Sequence, residues 1–183
     1  MKVKGTAVRV IPDYIKANFP QYYSEWLNNL PENSKNIFEN TILAATMYEL
    51  YDAHVVPTRV LAEILAEEDK KVARDIGRFS AENALKGVYS VFLKMSSFRF
   101  AVKRVPMIFK TYYSPAEVDL LKSEEGDVLI KFGKLEQKEL LLFYRNMGWT
   151  EVFARMSLGV EADVKLEITE ENGGFYGLFS IKF

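Results

Sequence analysis

Residues 160–183 read V-E-A-D-V-K-L-E-I-T-E-E-N-G-G-F-Y-G-L-F-S-I-K-F, and this stretch decides the fold. Apolar and charged residues alternate from Val160 to Ile168, which is the period of a strand with one buried and one solvated face. Asn172-Gly173 supplies the positive φ angles of a tight turn, and the alternation resumes from Phe175. The stretch therefore predicts a β-hairpin that packs against the core.

The remainder of the chain predicts helices around a second hairpin. A strand is predicted over residues 2–11, where apolar residues alternate up to Pro12. Residues 40–56 fit either a helix or an extended segment. Helices are predicted at 12–18, 20–30, from Pro31, from Pro57 to the charged Glu67-Glu68-Asp69, and at 69–86, 88–95, 98–112 (capped by Ser96-Ser97) and 136–158, the last with an interruption near Gly148. Strands are predicted at 117–123 and 127–133. This order predicts a single α+β domain over residues 1–183, with helices packed on one face of a twisted antiparallel sheet.

Composition excludes several classes of protein. A chain of 183 residues is long enough for one domain with a real core. Its net charge of −1 gives no general attraction to nucleic acid, and the absence of cysteine excludes disulfides and thiolate metal sites. No run approaches the roughly 20 apolar residues of a membrane span, and the charged N-terminus does not resemble a signal peptide. These features predict a cytoplasmic protein.

Catalytic machinery is hard to assemble from these residues. The chain has one histidine, His54, and no nucleophile elbow, zinc-binding helix or glycine-rich phosphate loop. His54 is open to two interpretations, an axial metal ligand or a core histidine with a satisfied hydrogen bond, and the lack of a partner motif favours the second. Carboxylate clusters fall at predicted turns, where solvent keeps them ionised. We therefore predict no catalytic residue, no metal site and no cofactor.

Residues 83–116 are the most unusual local stretch, because they contain no acidic side chain but many basic and aromatic ones. One interpretation is an apolar pocket with a cationic rim, suited to a fatty acid or another anionic amphiphile. The other is a solvated basic face that pairs with acids elsewhere, which is the usual fate of exposed charges. The pocket interpretation predicts five ligand-binding residues: Phe92, Phe100, Arg104, Met107 and Tyr112.

A second aromatic set lies in the predicted helix 136–158. It comprises Phe143, Tyr144, Met147, Trp149, Phe153 and Met156. These residues fit a cofactor slot in principle, but a core between helix and sheet is the commoner role of such a set.

Several segments resemble a superfamily that includes heme-nitric-oxide-binding sensor domains, four-vinyl-reductase domains and the Bet-three subunits of the TRAPP tethering complex. K-V-K-G-T-A-V-R-V (residues 2–10), followed by Trp26-Leu27, is similar to the start of the heme sensors, and residues 161–183 are similar to their final hairpin. D-I-G-R-F-S-A-E-N-A-L-K-G-V-Y-S-V-F (75–92) and F-A-V-K-R-V-P-M-I-F-K-T-Y-Y (100–113) look more like an uncharacterised bacterial family, well represented in myxobacteria. The resemblance implies a ligand-binding fold.

The chain departs from that superfamily where its known cofactors bind. The resemblance implies an axial histidine on the helix 98–112, where this chain has Arg104 and Val105. It implies a Tyr-x-Ser-x-Arg motif for heme propionates just after that helix, where residues 113–117 read Y-S-P-A-E without the arginine. The cysteines of the vinyl-reductase and Bet-three domains are also absent. By resemblance, this is the fold without the heme ligand, the metal cluster or the acylated thiol.

Three functional hypotheses follow from the sequence. The first is a heme-free, non-enzymatic small-molecule-binding or sensory domain of a bacterial signalling type, with a pocket between the helices of 69–112 and the sheet. The second is a protein-interaction module that forms a homodimer and takes no ligand. The third, an enzyme, has the least support, because no nucleophile-base pair or metal set can be assembled.

Overall fold

The chain starts with a short strand and a series of helices and finishes with a four-stranded sheet. The computed structural model describes residues 1–87, 98–124, 126–158 and 161–182. The α-helices are α1 (Gly5–Val8), α2 (Val10–Asn18), α3 (Tyr23–Asn29), α4 (Glu32–Glu39), α5 (Val56–Leu65), α6 (Asp69–Lys86), α7 (Phe98–Tyr112) and α8 (Leu141–Leu158). The strands are β1 (Lys2–Lys4), β2 (Met47–Glu49), β3 (Tyr113–Ser114), β4 (Glu117–Glu124), β5 (Asp127–Leu135), β6 (Asp163–Glu171) and β7 (Gly174–Lys182). A π-helical turn covers Tyr51–Val55, and 3-10 turns cover Pro20–Tyr22 and Gln137–Glu139.

The predicted C-terminal hairpin is confirmed. Strands β6 and β7 pair antiparallel, with Val164 opposite Ile181 and Leu166 opposite Phe179. Asn172 and Gly173 connect them with φ angles of 50° and 69°, and a tight two-residue hairpin turn needs such positive values at both positions.

The hairpin completes an antiparallel sheet in the order β4-β5-β7-β6. Its inner face is formed by alternate residues, among them Val128, Ile130 and Phe132 of β5 and Phe179 and Ile181 of β7, all buried. Helices α7 and α8 pack on the sheet. The predicted α+β class, with helices against an antiparallel sheet and a closing hairpin, is confirmed.

The prediction of one strand over residues 2–11 is wrong beyond Lys4. Strand β1 lies between β2 and β3 in a separate three-stranded sheet, and the chain becomes helical at Gly5. A Cβ atom on Gly5 would lie 2.0 Å from the Leu43 carbonyl oxygen, so this close approach requires glycine. The buried residues that follow, Ala7, Val8, Ile11 and Ile15, have helical spacing, and this burial outweighs the β propensity of their side chains.

The interruption predicted near Gly148 is also absent, since α8 is continuous through that residue. Gly148 instead allows a close helix crossing: a Cβ atom there would lie 1.9 Å from the Arg74 carbonyl oxygen of α6. Gly77 of α6 faces α8 in the same way. Glycine in mid-helix therefore serves packing here, because it removes the side chain that would separate the two backbones.

Other predicted elements can be placed against the structure. The helices predicted at 69–86 and 98–112 correspond to α6 and α7, and the segment 40–56 contains β2 and the π-helical turn. The helix predicted from Pro57 to Glu67-Glu68-Asp69 ends earlier, at Leu65 of α5, because Ala66 adopts a left-handed conformation. The helix predicted at 88–95 and its neighbouring cap lie outside the described residues. Within the described ranges, every helix is too short or too polar to cross a bilayer.

Candidate functional site

A cavity of about 350 Å³ lies where the N-terminal helices, α6, α7 and α8 meet. Its walls are mostly apolar, but one side carries an arginine and an asparagine. The described lining residues are Thr6, Ala7, Val10, Ser80, Asn83, Ala84, Ile108, Phe109, Tyr112, Tyr113, Arg145, Asn146 and Trp149. Every helical lining residue is held by an element that also contributes to the core, so the cavity is part of the fold rather than of a loop.

The cavity has a solvated mouth and a buried floor. Thr6 and Asn83 are exposed and mark the mouth, whereas Tyr113, Arg145 and Asn146 are buried and form the floor. Polar and charged groups are therefore placed at the deepest point, where water is least able to solvate them.

Arg145 is the unusual residue of the floor, since only 2% of its surface is exposed. Its Nη2 donates a hydrogen bond of 2.7 Å to the Ala7 carbonyl oxygen, and its Nη1 donates one of 2.9 Å to Nδ1 of His54. Among the described residues no carboxylate forms an ion pair with it, and burial lowers the pKa of the guanidinium. Arginine nevertheless stays protonated in proteins, so the floor holds a buried positive charge without a counter-charge among the described residues.

Asn146 adds a second hydrogen-bond donor to the floor. It is also 2% exposed, and its Nδ2 has no hydrogen-bond partner among the described residues. Its Oδ1 accepts a long hydrogen bond of 3.4 Å from the Tyr113 hydroxyl, which leaves the amide nitrogen as the free end. Buried amide groups without partners are rare in folded proteins, because each costs about 1–3 kcal/mol.

His54 is a core residue that supports Arg145. It lies in the π-helical turn, is completely buried, and is not among the described residues that line the cavity. Because a guanidinium only donates, Nδ1 is the acceptor and the proton sits on Nε2, which has no described partner. Burial, and then the charge of Arg145, lower the pKa of His54 well below its ordinary value. Among the described residues, only one of its two ring nitrogens therefore has a hydrogen-bond partner.

Aromatic rings form the apolar wall of the cavity and connect it to the sheet. Phe109 and Trp149 make an edge contact with centroids 6.2 Å apart, and Phe109 also lies 5.3 Å from the Phe132 ring of β5. Trp149 stacks on Phe153 at 5.2 Å. Of the aromatic set predicted as core in helix 136–158, Phe143 and Phe153 are buried, and Trp149 faces the cavity.

The five predicted ligand-binding residues are placed in different surroundings. Tyr112 lines the cavity. Arg104 is half-buried and is not among the described lining residues, and Met107 is 59% exposed. Phe92 and the side chain of Phe100 lie outside what the structure describes. The pocket predicted between helices 69–112 and the sheet corresponds most closely to this cavity, which is bounded mainly by helices.

Arg145 and Asn146 were missed by the sequence-based site prediction, although a signal exists. On a helix, residues three and four apart share a face, so Leu141 and Leu142 precede Arg145 and Trp149 follows it on one stripe. A charged residue in the centre of an apolar stripe is a candidate for a buried function.

With the geometry described, the protein can be compared with known ones. No family model matches the sequence, and no curated protein is similar to it in sequence. The structure is similar to an Fe(II) unliganded H-NOX protein from K. algicida, with a TM-score of 0.73 and 9% identity over 98% of this chain and 96% of that chain. The chain has the H-NOX fold. An H-NOX protein from S. oneidensis in the Fe(II)NO state is similar with a TM-score of 0.70 and 14% identity, over 98% of both chains.

A third neighbour with the H-NOX fold is a mutant from T. tengcongensis, with a TM-score of 0.65 and 15% identity over 98% of this chain and 97% of that chain. At this level of identity the similarity establishes the fold alone. The predicted resemblance to heme-nitric-oxide-binding domains is confirmed at the level of the fold.

Because the fold implies a heme, the next question is whether residues near the cavity can coordinate heme iron. Heme iron in proteins is held by His, Cys, Met or Tyr. The chain has no cysteine, and its only histidine, His54, already accepts a hydrogen bond at Nδ1 from Arg145. The described lining contains no histidine or methionine, and burial raises the pKa of Tyr113, which disfavours the phenolate form of that residue. These donors do not fit a histidine-ligated heme.

Proposed function

We propose that this protein is a heme-free small-molecule-binding domain that takes an apolar or amphiphilic ligand into the cavity between α6, α7 and α8. The observation that carries the proposal is the cavity itself: about 350 Å³ of mostly apolar space, open at Thr6 and Asn83 and reaching a buried polar floor. Small-molecule sites in proteins are typically concave and apolar, with a few well-placed polar groups.

We propose a heme-free site because the residues near the cavity are poorly suited to bind heme iron. The lone imidazole is held in the core by a guanidinium, and a positive charge next to a ring nitrogen opposes the binding of a metal cation there. The H-NOX fold supports a sensory role for such a ligand site, by analogy of fold only.

The first experiment identifies what the cavity holds. The purified protein is denatured, extracted with organic solvent, and the extract is analysed by mass spectrometry beside an extract of a cavity-filled variant. Ala84→Phe is that variant, because Ala84 lines the cavity wall on α6 and is half-buried. Lys86→Phe is the matched control, since it places the same ring at an exposed position of the same helix.

We expect a stoichiometric small molecule from the wild type and from Lys86→Phe, and less of it from Ala84→Phe. Equal recovery from all three proteins, or no ligand and no binding of any apolar probe, would refute the proposal. Incubation with hemin is expected to give no Soret band beyond that of free hemin. A stoichiometric Soret band that disappears in His54→Gln would refute the heme-free part.

A further inference from the structure

We propose that the floor of the cavity is an anion site, in which Arg145 and Asn146 bind the carboxylate of an amphiphilic acid whose apolar part fills the space toward the mouth. This inference rests on the proposed function, because it names the chemical class of the ligand for the same cavity. It replaces the half-buried Arg104, predicted from sequence, with a deeper arginine as the anchor.

The first argument is charge. Arg145 is nine-tenths or more buried, stays protonated, and has no carboxylate partner among the described residues. An isolated buried charge costs several kcal/mol, so proteins bury charges in pairs or at sites that receive a charged ligand. A ligand carboxylate at the floor provides the missing counter-charge in surroundings that water hardly reaches.

The second argument is the number of donors. The guanidinium has five N–H groups, and two of them donate to His54 and to Ala7. The remaining three have no described protein acceptor. Asn146 adds an amide nitrogen that is buried and unpartnered. A carboxylate has two oxygens with about four acceptor positions, so it matches a guanidinium edge together with one amide donor.

The third argument is the orientation of the cavity. The donors are at the buried floor and the exposed residues Thr6 and Asn83 are at the mouth. Between them lie apolar side chains, including Ile108, Phe109 and Trp149. A ligand that fits this gradient has an anionic end and an apolar body, and it enters with the anionic end first.

The remaining groups near the floor favour an anion over a cation. Burial raises the pKa of Tyr113, which keeps the hydroxyl neutral, and the low pKa of His54 keeps that ring neutral. Neither the floor nor its described neighbours offer a negative charge, so a cationic amphiphile would meet only Arg145 and neutral donors.

The test compares three probes of equal chain length, decanoate, 1-decanol and decyltrimethylammonium, by calorimetric titration or by displacement of a fluorescent apolar probe. We expect decanoate to bind about ten-fold or more tightly than decanol, since a hydrogen bond to a charged group contributes about 1.5–3 kcal/mol. Decyltrimethylammonium is expected to bind more weakly than either.

Two variants assign the effect to the floor. Arg145→Met is expected to remove the preference, so that decanoate and decanol bind to this variant with affinities within about two-fold of each other. Asn146→Asp keeps the shape of the side chain but adds a negative charge beside Arg145, so it should reverse the preference, with decanol binding more tightly than decanoate, and retain the fold. Arg104→Met is the control, and it should leave the affinity for both probes within about two-fold.

The outcomes separate the inference from the proposed function. If decanoate and decanol bind equally, or if Arg145→Met and Asn146→Asp leave the preference unchanged, the anion site is refuted and the apolar cavity stands. If Arg104→Met alone removes the preference, the anchor is Arg104 and this inference is wrong. If none of the probes binds and extraction yields no ligand, both proposals fail.

Discussion

The backbone carbonyl oxygen of Arg145 lies 2.0 Å from the position that a Cβ atom on Gly77 would occupy. On the other side of the same crossing, the Arg74 carbonyl oxygen lies 1.9 Å from the Cβ position of Gly148. Helices α6 and α8 thus meet backbone to backbone at two reciprocal points. Ion pairs flank the crossing, among them the 2.8 Å contact of Arg78 with Glu151. The crossing therefore places the backbone of Arg145 directly against Gly77 of α6.

The first prediction concerns that crossing. Gly77→Ala should lower the free energy of unfolding by about 1–3 kcal/mol, because the added methyl group would overlap a backbone carbonyl that cannot rotate away. An ordinary glycine-to-alanine change within a helix has the opposite sign, a gain of about 0.5–1 kcal/mol. Urea denaturation measures the difference, with Lys86→Ala, exposed on the same helix, as the control. A urea midpoint of Gly77→Ala at or above that of the wild type would contradict the close backbone contact between α6 and α8.

The second prediction concerns the stability of the fold at acidic pH. Burial, and then Arg145, hold the pKa of His54 well below its ordinary value of 6.5. As the pH falls below about 6.5, the unfolded chain therefore binds a proton that the folded protein does not bind, and stability is lost. The contribution of this residue is about 1.4 kcal/mol per pH unit until its folded pKa is reached.

Urea denaturation between pH 7.5 and pH 5 measures that slope. In His54→Gln the glutamine oxygen can still accept a hydrogen bond from Arg145, but the side chain does not titrate. The free energy of unfolding should therefore fall less steeply with decreasing pH, by up to about 1.4 kcal/mol per pH unit. Parallel slopes for the two proteins would show that His54 titrates normally in the folded state.

The third prediction concerns the closing turn. Asn172 has a φ of 50°, in the left-handed region that costs most residues about 1–2 kcal/mol. Asn172→Ala should therefore lower the free energy of unfolding by about 1 kcal/mol, whereas Asn172→Gly should change it little. Thermal and urea denaturation of both variants check the pair. A larger loss in the glycine variant than in the alanine variant would be inconsistent with this turn geometry.

The fourth prediction concerns the ion pair between the Met1 amino group and Glu139. The amino nitrogen lies 2.8 Å from Oε1 of Glu139, whose side chain is buried, whereas the amino group itself is partly buried. Glu139→Gln removes the negative charge but keeps an oxygen that can accept a hydrogen bond from the ammonium, so it should destabilise the fold by about 1–3 kcal/mol. Glu171→Gln breaks the more exposed pair with Lys131 and should cost about 0–1 kcal/mol. Equal effects of the two variants, measured by chemical denaturation, would contradict the burial of the Glu139 carboxylate.

Much of the fold follows from periodicity. The alternation on both sides of Asn172-Gly173 is long and regular, because each strand has one face in the core and one in water, and the hairpin is found as predicted. Residues 2–11 misled the prediction, because β-branched residues occupy a segment whose helical form depends on a contact of Gly5 with the distant Leu43. Local propensity contains no information about that contact.

The site was less predictable for a related reason. Arg104 stood out because the sequence around it is basic and aromatic, whereas Arg145 is one charge in an apolar helix. Its importance comes from its burial without a carboxylate partner among the described residues, which depends on three elements brought together by the fold. The predicted homodimer and the cytoplasmic location stay predictions.

Strand β7 has neighbours on both sides, β5 and β6, although both precede it along the chain. During synthesis, the backbone groups of β5 and β6 that will pair with β7 therefore have no partner strand until residues 174–182 have left the ribosome. A premature stop within the hairpin would not produce a smaller version of the domain. It would leave the backbone N–H and C=O groups on two strand edges unpaired, and such edges are a template for intermolecular pairing and aggregation.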